Sequence, residues 1–285
     1  MVGVFMFIGS TDKERLDNFL IIEENDSASE VFKFMEEKNV NNLIVDANLC
    51  NISILDNVDF YQIFEKAKIV HLANIDLKKS SYLHQFKNAN RFEIKNCKFS
   101  GKEPINFHEF SNLEEIFTIY SKRFENLFNH PKLKTLFIEG FNILDFNFPL
   151  NNVLESLSLE KSAECKWSTL SNFKKLKALY LVSISSITDI SWLSNLSYLE
   201  DIELTYCKKI ENCIEGISNV SSLKSVWLAY MGNFDSLKPL SKLTKLKELT
   251  IESGGKLVDK DISFLKNIQG LEYSIEMSNC VTSNE

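Results

Sequence analysis

Residues 187–204 read ITDISWLSNLSYLEDIEL, and residues 234–251 read FDSLKPLSKLTKLKELTI. Apolar residues return at the same stiff intervals in both, with Asn195 in the middle of the first and a strand-like end, LEDIEL or LKELTI, on each. Neither the 3.6-residue period of a helix nor the two-residue period of a strand covers either stretch. Each therefore joins an outer return segment to an inner strand.

Working outward, the same unit recurs along the chain. Anchored on the first apolar residue of each L-x-L core, the series runs Leu20, Leu43, Val70, Phe92, Ile116, Leu136, Leu157, Leu179, Ile202, Val226, Leu249 and Ile275, in steps of 20 to 27 residues. The clearest copies are LKTLFI (133–138), LESLSL (154–159), LKALYL (176–181), LEDIEL (199–204), LKSVWL (223–228) and LKELTI (246–251). These residues resemble the leucine-rich repeat, L-x-x-L-x-L-x-x-N/C, over nearly the whole chain, and I-x-D-I-x-x-L-x-N-L-x-x-L at 187–199 is most similar to the short bacterial repeat of internalins. Two units depart from it: 113–118 ends in Thr118, and 271–277 carries an extra residue before Ile275.

The resemblance implies an α/β fold, a right-handed leucine-rich repeat solenoid (horseshoe). Its parallel β-sheet lies on the concave face, and helical, 3₁₀ or irregular segments lie on the convex face. The physical reason is that one repeat cannot bury its apolar side alone, whereas stacked repeats pile their leucines into a continuous core. The position five after the anchor, which in this family turns inward to the neighbouring coil, holds Asn25, Asn48, Cys97, Cys207 and Cys280. A free cysteine is a small buried hydrophobe and suits that slot; Cys50, Cys165 and Cys213 have no assigned role. Residues 1–40 read as an N-terminal cap merging into the repeats. Its strands are GVFMFIGS and NFLIIEEN, and its helix is opened by a Ser27/Glu30 capping box with apolar Val31, Phe34 and Met35. A helix is expected near 57–67, shorter returns later, the solenoid over 41–278, and a fraying tail at 279–285.

A net charge of −7 argues against a nucleic-acid or anionic-membrane binder. The opening MVGVFMFIGSTDKER lacks a basic residue before its apolar run and reads as a strand, not a signal peptide. Six cysteines without a C-x-x-C pair suit a reducing cytoplasm and neither a disulfide framework nor a zinc site. The chain shows no Walker-type loop, no G-x-S-x-G and no H-E-x-x-H, and its four histidines are scattered, so no enzyme activity, metal or cofactor is expected. Only His71 falls on an inner strand, where it should face solvent; His130 precedes Pro131 in a turn.

Strand positions that do not face the core must face the other side of the sheet. Around the twelve anchors these positions carry twelve acids and three bases, which leaves 27 acids and 29 bases, nearly balanced, elsewhere. Exposed rings beside acids are the usual make-up of a protein-binding hot spot. The candidate partner-binding set is Glu115, Phe117, Tyr120, Phe137, Glu139, Glu160, Tyr180, Asp201, Glu203, Tyr206, Trp227, Tyr230, Glu248 and Glu252. The expected function is capture of a basic protein on this face by a chain that is monomeric when free, for instance as an immunity protein neutralising a toxin such as a nuclease. The alternatives are an adhesin or invasion ligand of internalin type, or the repeat portion of a secreted effector.

Overall fold

The computed structural model describes residues 19–284, and the chain divides into two compact units, residues 1–133 and 134–285. The strand expected over residues 3–10 lies outside the described residues.

In the first unit the strands are β1 (Phe19–Ile21), β2 (Asn42–Asp46), β3 (Ile69–Ala73), β4 (Arg91–Lys95), the short β5 (Ile105–Asn106), β6 (Glu115–Ile119) and the short β7 (Phe124–Glu125). β1, β2, β3, β4 and β6 pair in parallel, anchor against anchor: Leu20 with Leu43, then Val70, Phe92 and Ile116. β5 and β7 form a separate parallel pair. The returns hold α1 (Ala28–Lys38), α2 (Tyr61–Lys66) and α3 (Ser81–His84). At the start of α1, Ser27 Oγ accepts from the Glu30 amide at 3.3 Å and donates to its carboxylate at 2.6 Å. Val31 and Met35 bury one side of α1, but Phe34, expected to join them, stays exposed. His130 closes a turn, its amide 3.4 Å from the Leu127 carbonyl, but its side chain is buried, with Nε2 3.2 Å from the Phe110 carbonyl.

In the second unit β8 (Thr135–Glu139), β9 (Ser156–Glu160), β10 (Ala178–Val182), β11 (Asp201–Thr205), β12 (Ser225–Ala229), β13 (Glu248–Ser253) and β14 (Glu272–Met277) are parallel. Their anchors again pair in sequence, from Leu136 with Leu157 to Val226 with Leu249. The last repeat corrects the expected register, because Leu249 pairs with Tyr273 and not with Ile275. The shift is two residues, one full strand period, so Glu276 keeps its face while Glu272 joins it. The tail does not fray either. Residues Cys280–Ser283 form β15, antiparallel to β14, and the Asn284 side chain bonds the Tyr273 amide and the Leu271 carbonyl.

The spacing in ITDISWLSNL now has a cause. Ser191–Asn195 is a 3₁₀ helix, whose three-residue period matches the spacing of Ile190 and Leu196 at its caps and Leu193 inside it; these three and the flanking Ile187 and Leu199 are all buried. Trp167–Asn172, Lys238–Lys242 and Ser263–Asn267 repeat the device, while α4 (Cys213–Ser218) replaces it once. Gly216 in α4 is required by close approach, since a Cβ there would lie 2.7 Å from the Ile190 side chain.

Anchor residues and those two further on form the core, and each large aliphatic one contributes about 1.5–3 kcal/mol. Thr118 stands in that stack at 0% exposure, tolerated because its hydroxyl donates to the Ile119 carbonyl at 3.0 Å. Phenylalanines fill the space behind: Phe64–Phe86 and Phe92–Phe110 in the first unit, Phe141–Phe148 and Phe148–Phe173 in the second. In the inward slot, the Cys97 and Cys207 thiols lie 3.5 and 3.3 Å from the Leu72 and Leu181 carbonyls, and burial pushes both up to about 11. Such thiols are structural, not nucleophilic. Asn25 and Asn48 were expected in the same slot but are exposed, and Cys280 belongs to β15.

Four residues after the anchor, most strands turn through the left-handed region. Asn74, Asn96, Gly140, Lys161, Ser183, Tyr206 and Tyr230 all have φ between +48° and +74°. The turn aims each amide at the next strand: Ser183 to Thr205, Tyr206 to Ala229 and Tyr230 to Glu252.

Candidate functional site

The sheet face of the first unit is closed by its own charges. Arg91 on β4 donates to Glu93 and, at 3.0 Å, to Glu115 on β6, while its guanidinium lies 4.6 Å over the Phe117 ring. His71 on β3, expected to be free in solvent, is 3.2 Å from the Glu93 carboxylate. Burial alone would raise the Glu93 carboxyl, but His71 and Arg91 outweigh it and hold it below the usual range. Phe117 was expected to be exposed. It is 8% exposed, because Arg91 covers it. Tyr120 is half-buried against Phe124.

On the second unit, Phe137 is likewise buried and offers no contact surface. Glu139 and Glu160 share Lys161, at 2.8 and 3.2 Å. The remaining candidates come together on β10–β13, where strand spacing is about 4.8 Å. One row across the strands is Tyr180, Glu203, Trp227 and Thr250; the row before it is Ala178, Asp201, Ser225 and Glu248; the row after is Val182, Thr205, Ala229 and Glu252. Tyr180, Glu203 and Trp227 are thus immediate neighbours.

The acids of this grid are met by hydroxyls. Tyr180 donates to Asp201 at 2.7 Å, and Thr205 donates to Glu203 at 2.9 Å. Among the described residues no cation lies within ion-pair distance of Asp201, Glu203, Glu248, Glu252, Glu272 or Glu276. Burial pushes the Asp201 carboxyl up against the opposing bonds from Tyr180 and Ser225, and Glu248 adds to the rise. Burial also raises Glu203, with repulsion from Asp201, Glu160 and Glu252, against the bond from Thr205. Both shifts mark negative charge that the chain itself leaves uncompensated.

Trp227 is half-buried between Glu203 and Thr250, and its indole N–H, shielded from solvent, has no acceptor among the described residues. Beyond the strand ends Tyr206 and Tyr230 stack face to face, centroids 4.4 Å apart and planes 2° apart, with 46% and 47% of their surfaces exposed. Two contributors escaped the sequence reading. Ser225 supports Asp201, and Glu272 was hidden by the tyrosine in its repeat's anchor position. The 24-residue step from Leu249 to Tyr273 matches the neighbouring steps of 23 and 24, where the step to Ile275 is 26, and is the signal in the sequence that points to it. Among the described residues, no cluster of histidine, cysteine and acidic side chains could hold a metal ion.

Repeats in register, inward cysteines and parallel strands with one side on the core define a leucine-rich repeat fold. No protein-family model and no curated relative matches the chain. Among solved structures it is similar to an internalin, inlF, from Listeria monocytogenes str. 4b F2365, with a TM-score of 0.59, 19% identity, and 91% of this chain and 72% of that chain covered. It is also similar to TLR13 in a TLR13–ssRNA13 complex, with a TM-score of 0.54, 13% identity, and 90% of this chain but 47% of that chain covered. At these identities the likeness is one of fold. Among the described residues no helix is long and apolar enough to cross a membrane.

Proposed function

We propose that the chain is a protein-binding module that takes a basic partner on the sheet face of its second unit. The observation that carries this reading is the grid Asp201, Glu203, Glu248 and Glu252, unpaired and set around Trp227 and the tyrosine stack. Two carboxyls held above their usual range gain most from a cation brought from outside, and the half-exposed rings beside them supply hot-spot area for a partner to cover. The same acids repel a nucleic-acid backbone. Within this reading, the chain acts as a cytoplasmic monomer neutralising a basic toxin such as a nuclease. The fold likeness to an internalin supports a second reading, an exported ligand using the same face.

The test is capture of the partner from the native host by the chain and by a Trp227→Ala/Glu203→Lys variant. The reading expects a basic protein held by the first alone, with affinity falling steeply as salt rises. Equal capture by the variant would end it.

A further inference from the structure

Tyr206 and Tyr230 stand where five other turns place asparagine, glycine, lysine or serine, at φ +54° and +51°. A bulky residue in that conformation is an outlier that strains the backbone. The parallel rings, with centroids 4.4 Å apart, gain a modest stacking energy, which has to be set against two strained turns. Neither hydroxyl has a hydrogen-bond partner among the described residues, so no hydrogen bond from the rings offsets the strained turns.

The surroundings of the stack are informative. Tyr230 bonds the Glu252 carbonyl through its amide, so β13 is the next strand on its outer side. There the chain runs Glu252, Ser253, Gly254: the Glu252 carboxylate has no cation partner, Ser253 turns inward to the Met231 carbonyl, and a Cβ on Gly254 would meet nothing within 4 Å. Tyr230, the Glu252 end of β13 and the open side of Gly254 are therefore neighbours across the β12–β13 pair. An aromatic face is negative and attracts cations, and a planar, weakly hydrated guanidinium both stacks and forks onto a carboxylate, as an ammonium does not. The first unit already builds this arrangement internally, with Arg91 4.6 Å over Phe117 while it donates to Glu93 and Glu115.

We infer that the outer face of Tyr230 seats an arginine side chain of the partner, its guanidinium stacked on the ring and bonded to Glu252, with Tyr206 backing the ring from behind. This rests on the second unit's face being the docking surface for a basic partner. The seat makes the module selective for arginine over lysine.

The experiment compares two synthetic peptides, (Gly-Arg)₅ and (Gly-Lys)₅, titrated into the full chain by calorimetry at one low ionic strength. The arginine peptide should bind at least about fivefold more tightly. Tyr230→Ser or Glu252→Gln should bring it to the lysine level, and Tyr230→Phe, which keeps the ring, should retain the preference. Equal affinity of the two peptides, or an arginine preference that survives Tyr230→Ser, overturns the seat. If both peptides bind equally and Glu203→Lys weakens both, the basic-partner reading stands and only the seat is lost. If neither peptide binds, both fall.

Discussion

On the first unit's sheet, Glu93 and Glu115 share Arg91, and His71 closes the other side of Glu93. On the second unit's sheet, Asp201, Glu203 and Glu248 occupy the equivalent rows of the same repeat and Glu252 the next row on, and all four have hydroxyls or nothing. Repeat, strand register and core are the same in both, so architecture does not decide the difference. A single residue type does, the cation in the row before the anchor. Where Arg91 stands in β4, the corresponding positions of β11 and β12 hold Asp201 and Ser225. A face that satisfies its own charges has little to gain from a partner. One that leaves them half-buried and unpaired gives up stability that an external cation restores.

The largest expected effect comes from erasing the contrast. Ser225→Arg places a guanidinium in register between Asp201 and Glu248, as Arg91 lies beside Glu115. It should raise the melting temperature of the free chain and weaken partner affinity by about a hundredfold or more, since it removes the charge a partner would meet and fills its space. A variant that binds as before would show that the uncompensated acids are not the contact. Next in size is the mirror change. Arg91→Met leaves Glu93 and Glu115 without their donor and uncovers Phe117, at a cost of about 2 kcal/mol, read as a lower urea midpoint. Partner affinity should stay within about twofold, because nothing on the second unit changes.

How far the sequence could go follows from the same residues. Strand alternation is a rule about one chain segment, so it placed Tyr180, Glu203 and Trp227 on one face without coordinates. Pairing is not local. That Arg91 would spread over Phe117, and that Lys161 would reach both Glu139 and Glu160, depends on rotamers chosen across neighbouring strands. Phe117 and Phe137 therefore read as exposed and proved buried. The αL turn at the fourth residue was illegible for a different reason. Asn74, Asn96 and Gly140 advertise it, but Tyr206 and Tyr230 are residues that normally argue against it. The last anchor was missed because Tyr273 does not look like the leucine it replaces.

The smallest effect is the most diagnostic, because the two faces should respond to pH in opposite directions. Glu203 and Asp201 are raised in the folded chain above unfolded values of about 4.3 and 3.9. Their ionised forms are therefore less favourable folded than unfolded, and they cost stability at neutral pH. That cost fades as pH falls into the carboxylate range, where the folded chain takes up protons first. Glu93 is lowered, so its contribution is present above about 4.3 and is lost as pH falls through its folded value. Hydrogen exchange, corrected for intrinsic rates, should therefore show protection of β11 and β12 rising relative to β4 as pH falls from neutral into the carboxylate range, around pH 4. Glu203→Gln should raise β11 protection at neutral pH, by less than about 1 kcal/mol, and flatten its rise on acidification. If β11 and β4 instead change in parallel, the carboxylates of the second unit are compensated after all, and the distinction between a closed face and a binding face disappears. A basic partner should lose affinity over that same interval, since protonating Glu203 and Asp201 removes the charge it would neutralise.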